Sequence, residues 1–290
     1  DGFLYEMGPW NWGEGTNNVT LVPNPWTWTK NAHMLFLESP AGVGFSYATN
    51  TYLPSDTQTA DDAFNFLVSF FKSAPKYANN PFYISGESFA GIYVPTLANR
   101  VLVGNKAGQS KINLQGVLVG NGVTDPEASD DMNNLFPFAY GHALYPTSIW
   151  NQIQAACGSG SAADAASCDD LTNYVYSIFD NLDIYNIYAE CYQQRPNVHR
   201  RTHKIQKRAM MTPPCTDAHK ADIWLNQAGV KSAIHVRSDI TWTICSESIN
   251  MVYNHNIPSM IPIYKNLIAN SVRVLIFSGD VDASVPYTGT

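Results

Sequence analysis

Apolar and polar residues follow two patterns along this chain: short continuous apolar runs, and longer stretches in which apolar residues recur three and four positions apart. The continuous runs lie at 33–38, 82–85, 114–120 and 272–277, and such runs are typical of strands buried on both faces of a parallel sheet. The helical spacing predicts helices at 56–73, 89–102 and 258–270. Strands that alternate with helices predict an α/β fold with a doubly wound sheet.

The pattern changes after Asp125. Residues 126–215 are more polar, carry four of the five cysteines and predict only short helices. We interpret them as a cap inserted into a core formed by 1–125 and 216–290. Residues 1–28 are predicted to be loops with short strands because they are rich in Gly, Pro, Asn and Trp. After the cap we predict a helix near 217–228 and a short strand near 233–236.

Composition narrows the class of protein and its partners. Charged residues make up 14% and aromatic residues 12% of the chain, which is typical of a globular protein. The net charge of −7 argues against nucleic acid and anionic membranes as partners. A basic run at 194–211 stands out, but it lacks aromatic stacking partners. An exposed, protease-sensitive loop is therefore favoured there over a nucleic-acid patch.

The cysteines indicate an oxidising compartment. Cys157 and Cys168 bracket a short Gly/Ser/Ala loop, Cys191 and Cys215 bracket the basic run, and Cys245 stands alone. We predict two local disulfide bonds from this arrangement, with buried free thiols as the alternative. The absence of C-x-x-C spacing argues against zinc.

One possible glycosylation signal agrees with passage through the secretory pathway. Residues Asn18-Val19-Thr20 form a sequon, which predicts N-glycosylation at Asn18.

The stretch 82–93 carries the clearest chemistry. It predicts a strand, a sharp turn containing Gly86-Glu87-Ser88-Phe89-Ala90-Gly91, and the start of a helix. The second glycine comes one position later than in Gly-x-Ser-x-Gly. The context is nevertheless the one that a nucleophile elbow needs, because small residues let the backbone crowd together and project the serine hydroxyl. The alternative is an ordinary turn that contains a serine.

Several motifs, in order along nearly the whole chain, resemble those of the serine carboxypeptidases. They are Glu38-Ser39-Pro40-Ala41-Gly42-Val43-Gly44-Phe45-Ser46-Tyr47, the Ser88 motif, Val119-Gly120-Asn121-Gly122 and Ser278-Gly279-Asp280-Val281-Asp282. The resemblance implies an α/β-hydrolase fold with a mostly parallel central sheet, helices on both faces and an inserted cap region. We expect no metal and no cofactor.

Acyl transfer on this fold needs a nucleophile, a base, an acid that orients the base, and oxyanion donors. Ser88 is the expected nucleophile, and the backbone N–H of Phe89 is an expected oxyanion donor. The acid should follow a late core strand, where the resemblance selects Asp282 over Asp280. The alternative is that these aspartates only cap a turn.

The resemblance also maps Glu6 and Glu87 onto a pair of glutamates that share a proton and bind the C-terminal carboxylate of a peptide. Two carboxylates in contact cannot both ionise cheaply, so one pKa should rise. A protonated glutamate can donate a hydrogen bond to an incoming carboxylate, whereas an ionised one repels it. Peptide binding should therefore favour acidic pH.

The sequence departs from the family pattern in two places. No histidine follows Asp282, although the α/β-hydrolase order is Ser, acid, His, and we assign none of the earlier histidines to the triad. The family also carries a Gly-Gly-Pro-Gly-Cys-Ser-Ser loop just before the segment that matches 1–6. The resemblance pairs Cys245 with the cysteine of that loop and implies the same two cap disulfides as above. We therefore expect this chain to be the interior of a longer enzyme.

Together these features predict a serine carboxypeptidase that releases C-terminal amino acids from peptides at acidic pH through an acyl-enzyme. The expected location is the secretory pathway, with a lysosome, a vacuole or the extracellular space as the destination. One alternative is an acyltransferase of the same fold, for which a carboxylate-binding glutamate pair would be of less use. Another is a non-catalytic relative that serves as a structural or binding subunit. Peptides are the expected partners, and a homodimer is left open.

Overall fold

The computed structural model describes residues 2–13, 19–125, 129–158, 165–189, 191 and 219–290. Asn18, Cys215 and the basic run 194–211 lie outside the described residues. The helices are α1 (Asp56–Ser73), α2 (Ala90–Lys106), α3 (Leu135–Gly141), α4 (Thr147–Cys157), α5 (Ala165–Ile178), α6 (His219–Leu225), α7 (Ala228–Ala233), α8 (Glu247–Val252) and α9 (Ile261–Ala269). Single helical turns lie at Gly2–Glu6, Trp28–Lys30, Pro75–Tyr77 and Phe179–Asn181.

The strands form an antiparallel pair and a parallel sheet. The pair joins β1 (Trp10–Trp12) to β2 (Leu21–Pro23). The sheet has the order β3-β4-β5, with β3 at Phe82–Glu87, β4 at Leu114–Gly120 and β5 at Arg273–Phe277. Three predicted strands thus coincide with β3, β4 and β5 to within two residues. The carboxyl ends of parallel strands meet at one edge of the sheet, which is where ligands bind in open α/β folds.

The main core forms where α2 and α9 pack against the sheet. Ile92 and Val94 of α2, Val117 and Val119 of β4, and Leu267 of α9 belong to one buried cluster. The predicted amphipathic helix at 56–73 is confirmed as α1. It begins after Ser55, whose side-chain oxygen accepts a hydrogen bond from the Gln58 N–H at 3.1 Å, and its apolar face packs against α2. These helices fix the position of the strand ends.

The prediction of a strand at 33–38 is wrong. Residues 33–39 form neither helix nor strand, and their backbone makes no hydrogen bond to another backbone group among the described residues. The segment is half-buried at Met34 and Phe36 and exposed at Leu35 and Leu37, and the Phe36 ring contacts that of Phe3 at 5.1 Å. An apolar run can indicate extended backbone, but a strand exists only where a neighbouring strand supplies hydrogen-bond partners.

The prediction of a short strand at 233–236 is also wrong, because these residues end a helix. The helix predicted near 217–228 is α6, and a second helix, α7, follows it and runs to Ala233. His235 then adopts a left-handed φ of 58°, and the N–H of Val236 donates to the Lys231 carbonyl at 3.1 Å. This bond closes the end of the helix as in a Schellman motif. The apolar residues that suggested a strand are thus part of a helix cap.

Residues 129–158 and 165–189, which we call the helical segment, have a core of their own. Phe136, Phe138, Ile153 and Val175 are completely or almost completely buried there. Within the described residues, no helix is long and apolar enough to cross a membrane.

The cysteines partly match the prediction. Cys157 and Cys168 form the predicted disulfide bond. Cys191 is disulfide-bonded, whereas its predicted partner Cys215 lies outside the described residues. Cys245 is a free, exposed thiol in the part of the chain that the structure describes.

Candidate active site

Ser88 lies in a strained turn at the carboxyl end of β3. Its φ is 62°, a left-handed conformation that costs a non-glycine residue about 1–2 kcal/mol. Three backbone hydrogen bonds hold it there. The Ser88 N–H donates to the Gly120 carbonyl at 3.1 Å, and the Ser88 carbonyl accepts from the N–H groups of Gly91 at 2.9 Å and Val123 at 3.0 Å. Such strain persists only where the surroundings impose it, and it is typical of functional sites.

Two glycines make this turn sterically feasible. A Cβ on Gly86 would lie 2.4 Å from the Cβ of Ala90, and a Cβ on Gly91 would lie 2.2 Å from the carbonyl oxygen of Val123. Both distances are far below van der Waals contact. The close approach of β3, α2 and the chain after β4 therefore requires glycine at both positions, as the elbow motif predicts.

Phe89 directly follows Ser88 and precedes α2. Among the described residues, no backbone carbonyl accepts a hydrogen bond from its N–H, as an oxyanion donor requires. Its ring packs against Tyr253 and His255, with centroids 5.7 and 5.4 Å away. Sequence reasoning did not place His255 against Phe89, because no motif links the two residues.

Asp282 lies on the loop after β5, and only 7% of its surface is exposed. Its carboxylate accepts hydrogen bonds from the N–H groups of Ser284 at 2.8 Å and Val285 at 3.3 Å. Burial nevertheless raises the pKa of Asp282 to about 6, and these two N–H groups offset only part of that rise. A cationic partner would stabilise the ionised form of such a carboxylate.

Asn121 joins the end of β4 to the loop that carries Asp282. Its N–H donates to the Phe277 carbonyl at 3.0 Å. Its side-chain amide donates to the carbonyls of Gly279 at 3.1 Å and Val285 at 3.2 Å, and accepts from the Gly279 N–H at 2.9 Å. Sequence reasoning included Asn121 in a family motif but gave it no role. The contacts indicate that it holds the loop in place.

Glu6 and Glu87 lie close enough to influence each other. Both residues are exposed at the surface, yet the protein around their carboxyl groups excludes part of the water that would solvate the charged form. Burial, then the charges of Glu6 and Asp282, raise the pKa of Glu87 to about 7. Burial also raises the pKa of Glu6. The Glu6 carbonyl accepts a hydrogen bond from the Asn24 side chain at 3.1 Å, which anchors this turn beside the sheet.

Tyr185 of the helical segment interacts electrostatically with the candidate site, although no sequence motif points to it. Burial raises the pKa of its phenol, and the charges of Cys245, Glu87 and Asp282 raise it further. The phenol therefore lies within electrostatic range of Glu87 and Asp282.

The described structure thus brings Ser88, Phe89, Glu6, Glu87 and Asp282 to one edge of the parallel sheet. Ser88 directly follows β3, Asn121 directly follows β4, and Asp282 lies on the loop after β5. Asp280 lies on the same loop, but its carbonyl, rather than its carboxylate, makes the contact described below. A candidate nucleophile, a candidate acid and a candidate oxyanion donor thus share one edge of the sheet, and acyl transfer also needs a base.

The chain matches the family model for serine carboxypeptidases over residues 1–290. Serine carboxypeptidase-like 20 of Arabidopsis thaliana is 35% identical over 340 residues, which cover 100% of this chain and 68% of that protein. Serine carboxypeptidase 1 of Hordeum vulgare is 36% identical, with 100% and 67% covered.

A solved structure shows the same fold. It is a prohormone-processing carboxypeptidase from Saccharomyces cerevisiae, with a TM-score of 0.75, 24% identity, and coverage of 100% of this chain and 64% of that one. The chain thus spans about two thirds of the length of these proteins. Its fold is that of the α/β-hydrolases, and the chain belongs to the serine carboxypeptidase family.

Proposed function

We propose that the protein removes the C-terminal residue of peptides by acyl transfer through Ser88. The observation that carries this proposal is the glutamate pair beside the strained serine. Burial and mutual repulsion raise the pKa of Glu87 to about 7, so this carboxyl group is neutral in acid. A neutral carboxyl group can donate a hydrogen bond to a substrate carboxylate, and such a group beside a nucleophile selects the end of a peptide.

The proposed chemical steps are those of acyl transfer by a serine nucleophile with a histidine base and an acid. The Ser88 hydroxyl attacks the last peptide carbonyl while a histidine removes its proton, and the Phe89 N–H donates to the oxygen that becomes negative. The histidine then protonates the departing amino acid, and water hydrolyses the acyl-enzyme by the same route. Asp282 orients the histidine and stabilises its protonated form. From the order of residues in α/β-hydrolases, we expect that histidine to follow Asp282.

The glutamate pair supplies the preference for exopeptidase cleavage. Ionised Glu87 would repel the substrate carboxylate, and Glu6 would add to that repulsion. In acid, the pair holds at least one proton and can bind the carboxylate through it. The departing residue is then fixed at its free end, which places the last peptide bond over Ser88.

We further propose an oxidising compartment and a two-part organisation. The Cys157–Cys168 disulfide supports the secretory pathway, with a lysosome, a vacuole or the exterior as the destination. We keep 126–215 as a cap on a core of 1–125 and 216–290, since the helical segment has its own buried cluster. Glycosylation at Asn18 and a bond from Cys245 to a cysteine upstream remain predictions.

The test uses the protein expressed from its complete coding sequence. Release of C-terminal amino acids from a blocked dipeptide is measured from about pH 4 to 8, with labelling by a serine-directed phosphonate in parallel. The proposal predicts release that is favoured in acid and lost when Ser88 is labelled, with Ser88→Ala as the control. Labelling without release would favour an acyltransferase. Neither release nor labelling would refute the proposal and favour a binding subunit.

A further inference from the structure

His142 connects the helical segment to the loop that carries Asp282. Its Nε2 lies 2.6 Å from the carbonyl oxygen of Asp280, and its Nδ1 lies 3.0 Å from the hydroxyl oxygen of Tyr188. A carbonyl oxygen only accepts, so Nε2 carries the proton. In the neutral ring, Nδ1 then accepts from the Tyr188 hydroxyl. These two hydrogen bonds assign the tautomer of the ring and fix its orientation.

Helix α3 and the buried Phe138 side chain fix the position of the His142 ring. His142 directly follows α3, and its N–H donates to the Phe138 carbonyl at 3.0 Å. The next residue, Ala143, has a left-handed φ of 56°, which ends the helix. The imidazole lies 4.5 Å from the Phe138 ring, between centroids, and the Phe138 side chain is completely buried. The Nε2–H group is therefore a donor on a fixed support.

The helical segment also forms hydrogen bonds with the backbone on both sides of Asp282. The N–H groups of Ala283 and Ser284 donate to the Ile184 carbonyl at 2.7 and 3.1 Å, and the Ile187 N–H donates to the Val281 carbonyl at 3.1 Å. Ala283 is 9% exposed and belongs to the core of the helical segment. The loop is thus fixed by Asn121 from the sheet and by the helical segment from the other side.

We propose that His142 is a positioning residue for Asp282, acting through the Asp280 carbonyl. This inference rests on the proposed function, in which Asp282 orients the catalytic base. Asp280 precedes Asp282 by two residues, so loss of the Nε2–H donor frees the start of the loop from α3. A displacement of about 1 Å in a catalytic constellation can lower the rate about 100-fold.

Two variants separate the hydrogen bond from the packing of the ring. His142→Phe keeps an aromatic ring against Phe138 but cannot donate to Asp280. His142→Gln has an amide N–H that can reach Asp280 and an amide oxygen that can accept from Tyr188. His235→Asn is the control, since it replaces a histidine at the end of α7 that makes no described contact with this loop, and asparagine tolerates its left-handed φ.

We expect His142→Phe to lower kcat by about 10- to 100-fold with KM changed less than about 2-fold, because the change affects alignment and not peptide binding. His142→Gln should stay within about 3-fold of the wild type. Phosphonate labelling of Ser88 should slow in parallel with kcat. An unchanged kcat in His142→Phe would overturn the inference, as would equal losses in the Phe and Gln variants.

Amide hydrogen exchange of residues 281–285 tests the same link without relying on peptidase activity. Exchange should be faster in His142→Phe and normal in His142→Gln and His235→Asn. Unchanged exchange in His142→Phe would overturn the inference even if the wild type is active. A wild-type protein without release or labelling would instead refute the proposed function, and faster exchange in the Phe variant would still support His142 as the residue that positions this loop.

Discussion

Replacement of Glu87 by glutamine tests the chemistry of the glutamate pair directly. The amide of Glu87→Gln has nearly the shape of the protonated carboxyl group and can donate a hydrogen bond at every pH. In the wild type, burial and the charges of Glu6 and Asp282 place the pKa of Glu87 at about 7. The wild type therefore loses its donor as the pH rises through about 7, whereas the variant keeps it.

The expected magnitude follows from the fraction of protein that is protonated. With a pKa of about 7, Glu87 is about 99% protonated at pH 5, about half protonated at pH 7 and about 9% protonated at pH 8. If only the protonated form binds a carboxylate, the inhibition constant of a carboxylate ligand rises about 11-fold from pH 5 to pH 8. In Glu87→Gln it should change less than about 2-fold.

A pair of ligands makes the assay specific. A substrate analogue with a reduced peptide bond is used in two forms, one with a C-terminal carboxylate and one with a C-terminal carboxamide. Only the carboxylate form should lose affinity with rising pH, and only in the wild type and in the control Glu247→Gln, which alters an exposed carboxylate at the start of α8. An equal pH dependence for both ligands, or an unchanged one in Glu87→Gln, would refute the reasoning.

Three further predictions concern stability and the elbow, and each is measured by urea unfolding. Ser88→Gly should be about 1 kcal/mol more stable than Ser88→Ala, because glycine relieves the strain of the left-handed φ, and both variants should lose phosphonate labelling. Equal free energies of unfolding would show that the left-handed φ of Ser88 is not strained. Gly91→Ala should cost about 1–3 kcal/mol and slow Ser88 labelling, whereas the control Gly229→Ala, in α7 with open space around it, should be neutral or gain up to about 1 kcal/mol. Joint replacement of Cys157 and Cys168 by serine should lower the free energy of unfolding by about 2–3 kcal/mol, since the disulfide bond spans 11 residues. An unchanged urea midpoint would show that the disulfide bond does not stabilise the fold.

The parts of the fold that sequence predicted are those set by local patterns. The apolar runs that became β3, β4 and β5 are bounded by turns, and α1 has both a capping serine and a regular apolar face. The elbow was predictable because its glycines lie within a few residues of Ser88 and form a recognisable motif, although the steric demand on Gly91 comes from Val123 on the chain after β4.

Prediction from sequence patterns failed where the local structure depends on contacts with other parts of the chain. The run at 33–38 has the composition of a strand, yet a strand also needs a neighbour to pair with. The apolar residues at 233–236 serve a helix cap equally well, and only the left-handed φ of His235 distinguishes the two.

The roles of Asn121 and His142 could not be predicted from the sequence for a related reason. Their contacts with the loop after β5 join residues 158 and 138 positions apart. No local periodicity records such contacts, because they depend on how the helical segment and the sheet are arranged in space.

These long-range contacts have a consequence for the order in which the protein folds. The elbow around Ser88 is formed by β3, α2 and β4, which are neighbours in sequence. Only short stretches of chain must therefore fold back to bring these elements together. The position of Asp282 depends on Asn121 and on Ile184, which requires much longer loops to close, and contacts of this kind form slowly. We expect a newly made chain to present its serine before its acid is in place. The proposed peptidase activity would then arise only with the last steps of folding, and an incompletely folded chain would not yet be able to cleave its neighbours.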